Sequence, residues 1–326
     1  MRKSSVVPIC LLVLVLTATR LLRGGVALSQ MDAYVVSHGY AGAQFIAHQN
    51  TYRLPVNANG KAGDLTIDTG APTTVMFRAT VKKFGLQIKD TEHQVHGAFG
   101  KGKEKVAVTS IAKLAMGNCT LMNVKAAVLS DAESGLYRTY GSSDGLFGLR
   151  EMVKYGAVLD LANHLLLVHP GGGQKGVSAG INSILTKQGY TAVDLDFIES
   201  HLRVKAVVNG TACQLIVDTG AFLTTLDGAF ARKARLGGYN TGAYARGLGT
   251  KARPIRVTQF PEFKVGDFLI KNASVTVTEL DPELLGGGGK PSAVGLLGAE
   301  YLGRHGAIFD FNNGTLYLRP KSRNPR

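Results

Sequence analysis

Two short segments of the chain carry the same four residues, and each brings one acidic side chain to the end of an apolar run. Asp68 to Ala71 (DTGA) recurs as Asp218 to Ala221, 150 residues later. Two carboxyl groups held within a few ångströms cannot both ionise, so such a pair shares one proton. The ionised member can activate a water molecule while the protonated member polarises a carbonyl, a pattern that predicts hydrolysis without a metal or cofactor.

The duplication extends well beyond the acidic segments. Asn59-Gly60 recurs at 209–210, Gly145 to Gly148 (GLFG) recurs at 295–298 (GLLG), and residues 156–170 match residues 306–320. Every block keeps the offset of 150. Four matches at one offset indicate a tandem duplication of one structural unit.

The elements that must position the acids are predicted to be strands. Asn-Gly between two apolar runs is typical of a β-hairpin, because both turn positions need positive φ. Leu202 to Val208 leads into such a turn, and Cys213 to Val217 returns from it to the acid. Short apolar runs between glycines, as at 146–147 and 296–297, indicate buried strands. A short helix is predicted after each, around 151–155 and 299–304.

This combination resembles the retropepsin-like aspartic peptidases, in particular exported members that carry both halves in one chain. The resemblance rests on Asp-Thr-Gly-Ala at a strand end, followed about 75 residues later by two apolar residues and Gly. It implies an all-β fold of two retropepsin-like β-barrel lobes, related by a pseudo-twofold axis, with a central cleft. It also implies that Asp68 and Asp218 are the catalytic pair and that an extended polypeptide is the substrate. Thr69 and Thr219 are then expected to bond across the axis.

Glycines near the acids have two predicted roles. Gly70 and Gly220 let the backbone approach the carboxylates without an intervening side chain. Two further segments begin 29 residues after their acids and, by resemblance, form flaps over the bound peptide. The first consists of Gly97, Ala98, Phe99 and Gly100, and the second of Gly247, Leu248 and Gly249. An ordinary glycine hairpin is the alternative for both.

The same resemblance and the N-terminal pattern divide the chain. Residues 1–29 are predicted to be a signal peptide, 30–170 the N-terminal lobe, 171–190 a Gly-rich linker, 191–320 the C-terminal lobe and 321–326 a tail. The signal peptide predicts export, to the periplasm or outside the cell.

The N-terminal pattern consists of a basic start and a short apolar stretch. Arg2 and Lys3 precede Val6 to Leu16, which is too short to span a bilayer comfortably. Small residues at Ala27 and Ser29 favour cleavage before Gln30. An uncleaved membrane anchor is the alternative. Residues 30–50 are either a short prosegment or the first strand.

Composition bounds the remaining choices. The 326 residues are 45% apolar and 18% charged, as in a globular protein with a substantial core. The net charge of +14 falls to +10 without the four basic residues of the first 29. Basic residues are scattered and no run interleaves them with aromatics, which disfavours nucleic-acid binding. With both acids in one chain, a monomer is expected.

Several other patterns point to different chemistry, and each is weaker than the paired acids. Gly141 to Gly145 matches G-x-S-x-G of serine hydrolases, but it precedes a buried strand where that motif needs a strand–turn–helix. The histidines lack metal-ligand spacing. Cys119 and Cys213 could form one bridge or remain two buried thiols. The rival function is a catalytically inactive peptide-binding module on the same fold, gripping its ligand by strand addition.

Overall fold

A computed structural model gives the fold, and it describes residues 28–91, 94–95, 104–129, 143–198, 200–245, 252–286 and 293–320. The helices are α1 (Gln30–Ser37), α2 (Arg78–Phe84), α3 (Leu149–Lys154), α4 (Lys175–Lys187), α5 (Gly228–Lys233) and α6 (Ala299–Arg304). The strands up to residue 168 are β1 (Ala41–Gln44), β2 (Ile46–His48), β3 (Thr51–Ala58), β4 (Lys61–Asp68), β5 (Val75–Phe77), β6 (Gln94–Val95), β7 (Glu104–Lys105), β8 (Ala107–Met116), β9 (Cys119–Leu129), β10 (Gly145–Gly148), β11 (Val158–Asp160) and β12 (Leu165–Val168). The later strands are β13 (Thr191–Asp194), β14 (Asp196–Ile198), β15 (His201–Val208), β16 (Thr211–Val217), β17 (Thr225–Asp227), β18 (Tyr239–Ala245), β19 (Arg253–Val265), β20 (Phe268–Thr278), β21 (Gly295–Leu297), β22 (Ile308–Asp310) and β23 (Thr315–Leu318). Within these described ranges, no helix has the length and apolar character needed to cross a membrane.

Each repeat folds into its own barrel-like sheet, as predicted. The first lobe has the strand order β2-β3-β4-β10-β5-β9-β8, and β3 also pairs with β8 to close the sheet. The second lobe has the order β14-β15-β16-β21-β17-β20-β19-β18, closed by the pairing of β15 with β19. The short apolar strands between glycines, β10 and β21, run parallel to β4 and β16 at the centre of each sheet. The two-lobe, all-β fold is confirmed.

The predicted hairpins are also present. Asn59 and Gly60 adopt φ of 52° and 87°, and Asn209 and Gly210 adopt 47° and 77°. Positive φ at both central positions is the requirement of a two-residue turn that matches strand twist. The turns therefore fix the register in which β4 and β16 return toward the acids.

A third sheet, here called the interlobe sheet, joins the two lobes and contains their symmetry axis. Its order is β1-β12-β11-β22-β23-β13, with strands from both repeats meeting at β11 and β22. Leu159 pairs there with Phe309, its equivalent 150 residues later. Val158 and Asp160 pair symmetrically with Asp310 and Ile308. The pseudo-twofold axis therefore passes between Leu159 and Phe309.

The segment 171–190, predicted as a Gly-rich linker, instead contains the helix α4. Val177, Ile181 and Leu185 are buried in the apolar cluster between α4, α1 and the six-stranded sheet. A Cβ at Gly180 would overlap the ring of Tyr34 on α1, so this glycine permits close helix contact. The segment is thus a packed element and not an irregular connection.

Helix α4 also has a counterpart in the first repeat. Gly-Tyr follows α1 at 39–40 and follows α4 at 189–190, again 150 residues apart. Residues 30–50 accordingly begin with a helix, α1, before the first strands. The structural repeat therefore starts with a helix in both halves.

The two cysteines of the described residues, Cys119 and Cys213, are free thiols. Cys119 is buried and Cys213 is partly buried. Burial raises the pKa of Cys119 to about 11 and that of Cys213 to about 12. Both thiols are therefore protonated at neutral pH and are poor nucleophiles.

Helix α1 brings a buried acid against the interlobe sheet. Asp32 is 1% exposed, and its Oδ2 accepts hydrogen bonds from Ser29 Oγ at 2.6 Å and Asn163 Nδ2 at 3.4 Å. Asn163 Nδ2 also donates to Asp160 Oδ2 at 2.7 Å. Tyr190 and Arg319 face the same cluster. Burial and the charge of Asp160 raise the pKa of Asp32 to about 7.

The raised pKa predicts that the folded protein loses stability as pH increases. Between about pH 4 and 7 the unfolded chain has released the Asp32 proton while the native state retains it, so the free energy of unfolding falls. A pKa that rises from 3.8 to about 7 changes the free energy of unfolding by at most about 4 kcal/mol. Asp32→Asn should therefore weaken the pH dependence of Tm, measured by thermal unfolding from pH 4 to 8.

The exposed Asp267→Asn variant is the matched control and should retain the wild-type pH dependence. If Asp32→Asn also unfolds with the wild-type dependence on pH, the buried acid is not its source.

Candidate active site

Both acids lie where a central strand ends. Strand β4 ends at Asp68, which pairs in parallel register with Gly148 of β10. In the second lobe Asp218 follows β16, and its N–H donates to Leu297 O at 3.0 Å. Each acid thus sits at the end of the β structure of its own lobe, with a loop leading on to the next strand.

The threonines after the acids bind the two loops to each other. Thr69 N–H donates to Thr219 Oγ1 at 3.0 Å, and Thr219 N–H donates to Thr69 Oγ1 at 3.0 Å. The Thr69 hydroxyl donates to Val217 O and the Thr219 hydroxyl to Ile67 O, both at 2.8 Å. Both threonines are completely buried. The predicted cross-axis bonds are therefore present, and they fix the separation of the two acids.

Each carboxylate accepts two backbone hydrogen bonds from its own loop. Asp68 Oδ1 accepts from the N–H groups of Gly70 at 2.9 Å and Ala71 at 3.0 Å. Asp218 Oδ1 accepts equivalent bonds from residues 220 and 221 at 2.8 and 3.0 Å. These donors orient each side chain toward the other lobe and favour its ionised form.

The glycine of each loop lies against the acid of the opposite lobe. A Cβ at Gly70 would lie 2.5 Å from Asp218 Oδ1, and one at Gly220 would lie 2.5 Å from Asp68 Cγ. Side-chain atoms do not approach so closely. Only glycine at both positions allows the two carboxyl groups to meet.

The two carboxyl groups form one protonation unit. Asp68 is 5% exposed, and burial followed by the charge of Asp218 raises its pKa well above the usual 3.8. Burial also raises the pKa of Asp218, although the backbone donors and the side chain of Asp68 oppose the shift. The two carboxyl groups interact directly, so they share one proton and titrate together. Such a pair has one base and one acid at the same place.

This geometry suits addition of water to a carbonyl. The ionised carboxylate can take a proton from a water molecule, and the protonated carboxyl can donate a hydrogen bond to the oxygen on which negative charge develops. Two adjacent carboxyls that share one proton are the arrangement by which aspartic proteases work, so the site matches the family that the sequence resembles.

The predicted flap residues, Gly97 to Gly100 and Gly247 to Gly249, lie outside the described residues. The strands that lead to the second segment, β18 and β19, form an antiparallel pair with an irregularity between Asn240 and Tyr244. The described structure therefore includes the two strands on either side of this segment.

The serine of the G-x-S-x-G pattern has a structural role. Ser143 is buried, and its hydroxyl donates to Gly145 O at 2.6 Å and accepts from Thr66 N–H at 3.0 Å. It also accepts from Gly145 N–H at 3.4 Å, so the hydroxyl links β4 to β10 through backbone atoms.

Sequence reasoning missed two glutamates near the acids. Glu151 and Glu300 lie in the first turns of α3 and α6 and accept hydrogen bonds from Thr74 and Thr224. An acid in a first helical turn commonly stabilises the helix dipole, so the sequence offered no separate signal for this contact.

Known proteins share both the sequence pattern and the fold. A family model described as aspartyl protease matches residues 54–150 and 204–301, one match in each repeat. The crystal structure of an aspartic proteinase from Irpex lacteus superposes with a TM-score of 0.51 at 12% sequence identity. The superposition covers 87% of this chain and 98% of that chain, and at this identity it is a likeness of fold. A search of curated proteins found no match by sequence.

Proposed function

The chain belongs to the aspartyl protease family, and from this premise we propose that it is an aspartic endopeptidase acting on extended polypeptides. The observation that carries the proposal is the pair of interacting acids, with Asp68 buried and Asp218 partly buried, whose loops are held together by the Thr69–Thr219 contacts. Family membership alone supports only the general class. The pair supplies the chemistry that the specific activity needs.

The proposed reaction is direct attack of water on the peptide carbonyl. The ionised member of the Asp68–Asp218 pair is the base that removes a proton from the attacking water. The protonated member donates its proton toward the carbonyl oxygen, stabilising the tetrahedral intermediate. Proton transfer to the leaving nitrogen then breaks the peptide bond. The reaction requires neither a covalent enzyme intermediate nor a metal.

Cleavage of a peptide library between pH 3 and 7, read by mass spectrometry, tests the proposal. Internal cleavage that pepstatin abolishes is the expected result. Library peptides that bind but stay intact at every pH would overturn it and favour the rival peptide-binding module.

We also propose that the protein is exported and that processing occurs before Leu28. Leu28 packs against the apolar cluster beneath the interlobe sheet, and Ser29 caps α1 through its bonds to Asp32. Cleavage before Gln30, as the sequence suggested, would remove both contacts. Mass spectrometry of the exported protein should find an N-terminus at or before Leu28. A chain that begins at Gln30, or that retains Met1, would contradict this proposal.

The active form is proposed to be a monomer, because both acids and both threonines come from one chain. The contacts that assemble the pair are therefore intramolecular and independent of concentration. Sedimentation under assay conditions should find a monomer, with constant specific activity on dilution. Activity that falls as a dimer dissociates would contradict the proposal.

A further inference from the structure

Two glutamates, one in each lobe, accept hydrogen bonds at the ends of the loops that follow the acids. Glu151 is 3% exposed, and its Oε2 accepts from the Thr74 hydroxyl at 2.6 Å and from the Thr74 N–H at 3.2 Å. In the second lobe Glu300 is partly buried, and its Oε1 accepts from Thr224 N–H at 2.6 Å. Thr74 and Thr224 each directly precede a strand, β5 or β17, and end the loop that starts at the acid.

The threonines link these glutamates to the strands that hold the acids. Thr74 Oγ1 accepts from Gly148 N–H at 3.2 Å, and Gly148 is the residue paired with Asp68. Thr224 Oγ1 accepts from Gly298 N–H at 2.9 Å. The residue before Gly298 supplies the carbonyl that accepts from Asp218 N–H. Each acid is therefore connected to a glutamate through one threonine and one strand.

The two glutamates do not occupy equivalent sequence positions. With the offset of 150, Glu151 corresponds to Tyr301 and Glu300 corresponds to Arg150. Neighbouring positions of two equivalent helices thus deliver a carboxylate to equivalent threonines. The two lobes share the contact although they differ in the residue that makes it, which argues that the loop requires an acceptor at this point.

The two contacts differ in their charge balance. Glu151 Oε1 accepts from Arg150 Nε at 2.9 Å, so its charge is compensated. The buried Oε2 of Glu300 accepts no hydrogen bond of good geometry from the described residues. Burial raises the pKa of Glu300. An uncharged acceptor should therefore serve at position 300, whereas loss of the charge at 151 removes the partner of Arg150.

We propose that Glu151 and Glu300 are positioning residues that hold the loops of Asp68 and Asp218 through Thr74 and Thr224. The proposal rests on the proposed peptidase function for its kinetic consequence, and its structural consequence is independent of that function. Misplacement of a reacting group by about 1 Å costs on the order of 100-fold in rate. The loss should appear in kcat, because the glutamates act on the position of the two acids and not on the binding of the substrate.

Kinetics of Glu300→Ala and Glu300→Gln, with the exposed Glu262→Ala as control, test the proposal on a library-derived peptide. We expect Glu300→Ala to lower kcat about 10- to 100-fold with KM little changed. Glu300→Gln should restore most of kcat, because the amide oxygen still accepts from Thr224 N–H. In the first lobe, Glu151→Gln should recover a smaller part of the kcat lost in Glu151→Ala, because Arg150 loses its charged partner. Wild-type kcat in Glu300→Ala, or equal losses in Glu300→Ala and Glu300→Gln, would overturn the proposal.

Amide hydrogen exchange on the same variants needs no substrate. The Thr224 and Asp218 amides should exchange at least about 10-fold faster in Glu300→Ala than in wild type or Glu300→Gln. Unchanged exchange would overturn the positioning role. If Glu300→Ala exchanges faster but the wild-type protein cleaves no peptide, the peptidase function is refuted and the positioning role stands.

Discussion

Replacing either Asp68 or Asp218 by Asn is expected to lower kcat by several orders of magnitude. Each substitution removes the shared proton and one of the two groups that position the water. The double variant should be little worse than either single variant, because groups that act as a unit are not additive. Steady-state kinetics on one cleavable peptide, with Asp194→Asn as an exposed control, measures all four variants.

The pH profile of the wild-type enzyme should be bell-shaped. Activity requires one proton on the pair, so it falls at low pH when both carboxyls are protonated and at high pH when both are ionised. Burial raises the pKa of both acids, which places the high-pH limb above the ordinary range of aspartate. Asn preserves the hydrogen-bonding shape of the loop, so the variants should remain folded by circular dichroism. Near-native turnover in either folded single variant would exclude the two-carboxylate mechanism.

Gly70→Ala and Gly220→Ala are expected to have the next largest effect. A methyl group at either position would contact the opposite carboxyl at about half an ångström less than any tolerated distance. The neighbouring atoms belong to loops fixed by the Thr69–Thr219 bonds, so the methyl group must displace the acids. The expected loss is at least about 100-fold in kcat.

Gly176→Ala provides the matched control for this substitution. Nothing lies within 4 Å of a Cβ at Gly176, which is part of α4, and Ala favours helix over Gly. The control should retain activity and gain stability slightly. Wild-type kcat in folded Gly70→Ala would show that the carboxyls do not need the close approach.

The central features of the fold and site could be predicted because they leave local, repeated signals. Asn59-Gly60 and Asn209-Gly210 demand positive φ, and the structure has it at all four residues. The return strands then had to end at Asp68 and Asp218. Because the same residues recur in the second repeat, each prediction made for one lobe also applied to the other.

The helix α4 was not predicted, since its glycines resemble those of a linker. Gly176 and Gly180 lower helix propensity, yet Gly180 is needed for contact with Tyr34. That contact joins residues far apart in sequence, and propensity carries no information about it. The counterpart helix α1 and the repeated Gly-Tyr at 39–40 and 189–190 were the available signal.

The buried acids outside the pair were also beyond local reasoning. Asp32 gains its raised pKa from burial and from the charge of Asp160, which lies at a distant strand end. Glu151 and Glu300 meet equivalent threonines from non-equivalent positions, so alignment of the repeats obscures their shared role. Such contacts depend on tertiary packing, which overrides any pattern of residue types.

Titration of the two carboxyl groups is the most direct measurement of the central claim. Protein labelled with 13C at the aspartate carboxyls, with Asp68→Asn and Asp218→Asn for assignment, gives the two resonances from pH 3 to 8. The resonances should both report two separated steps, with the upper step above 3.8, and each single variant should leave one step. Two independent single steps near 3.8, unaffected by removal of the other acid, would contradict a shared proton and the mechanism built on it.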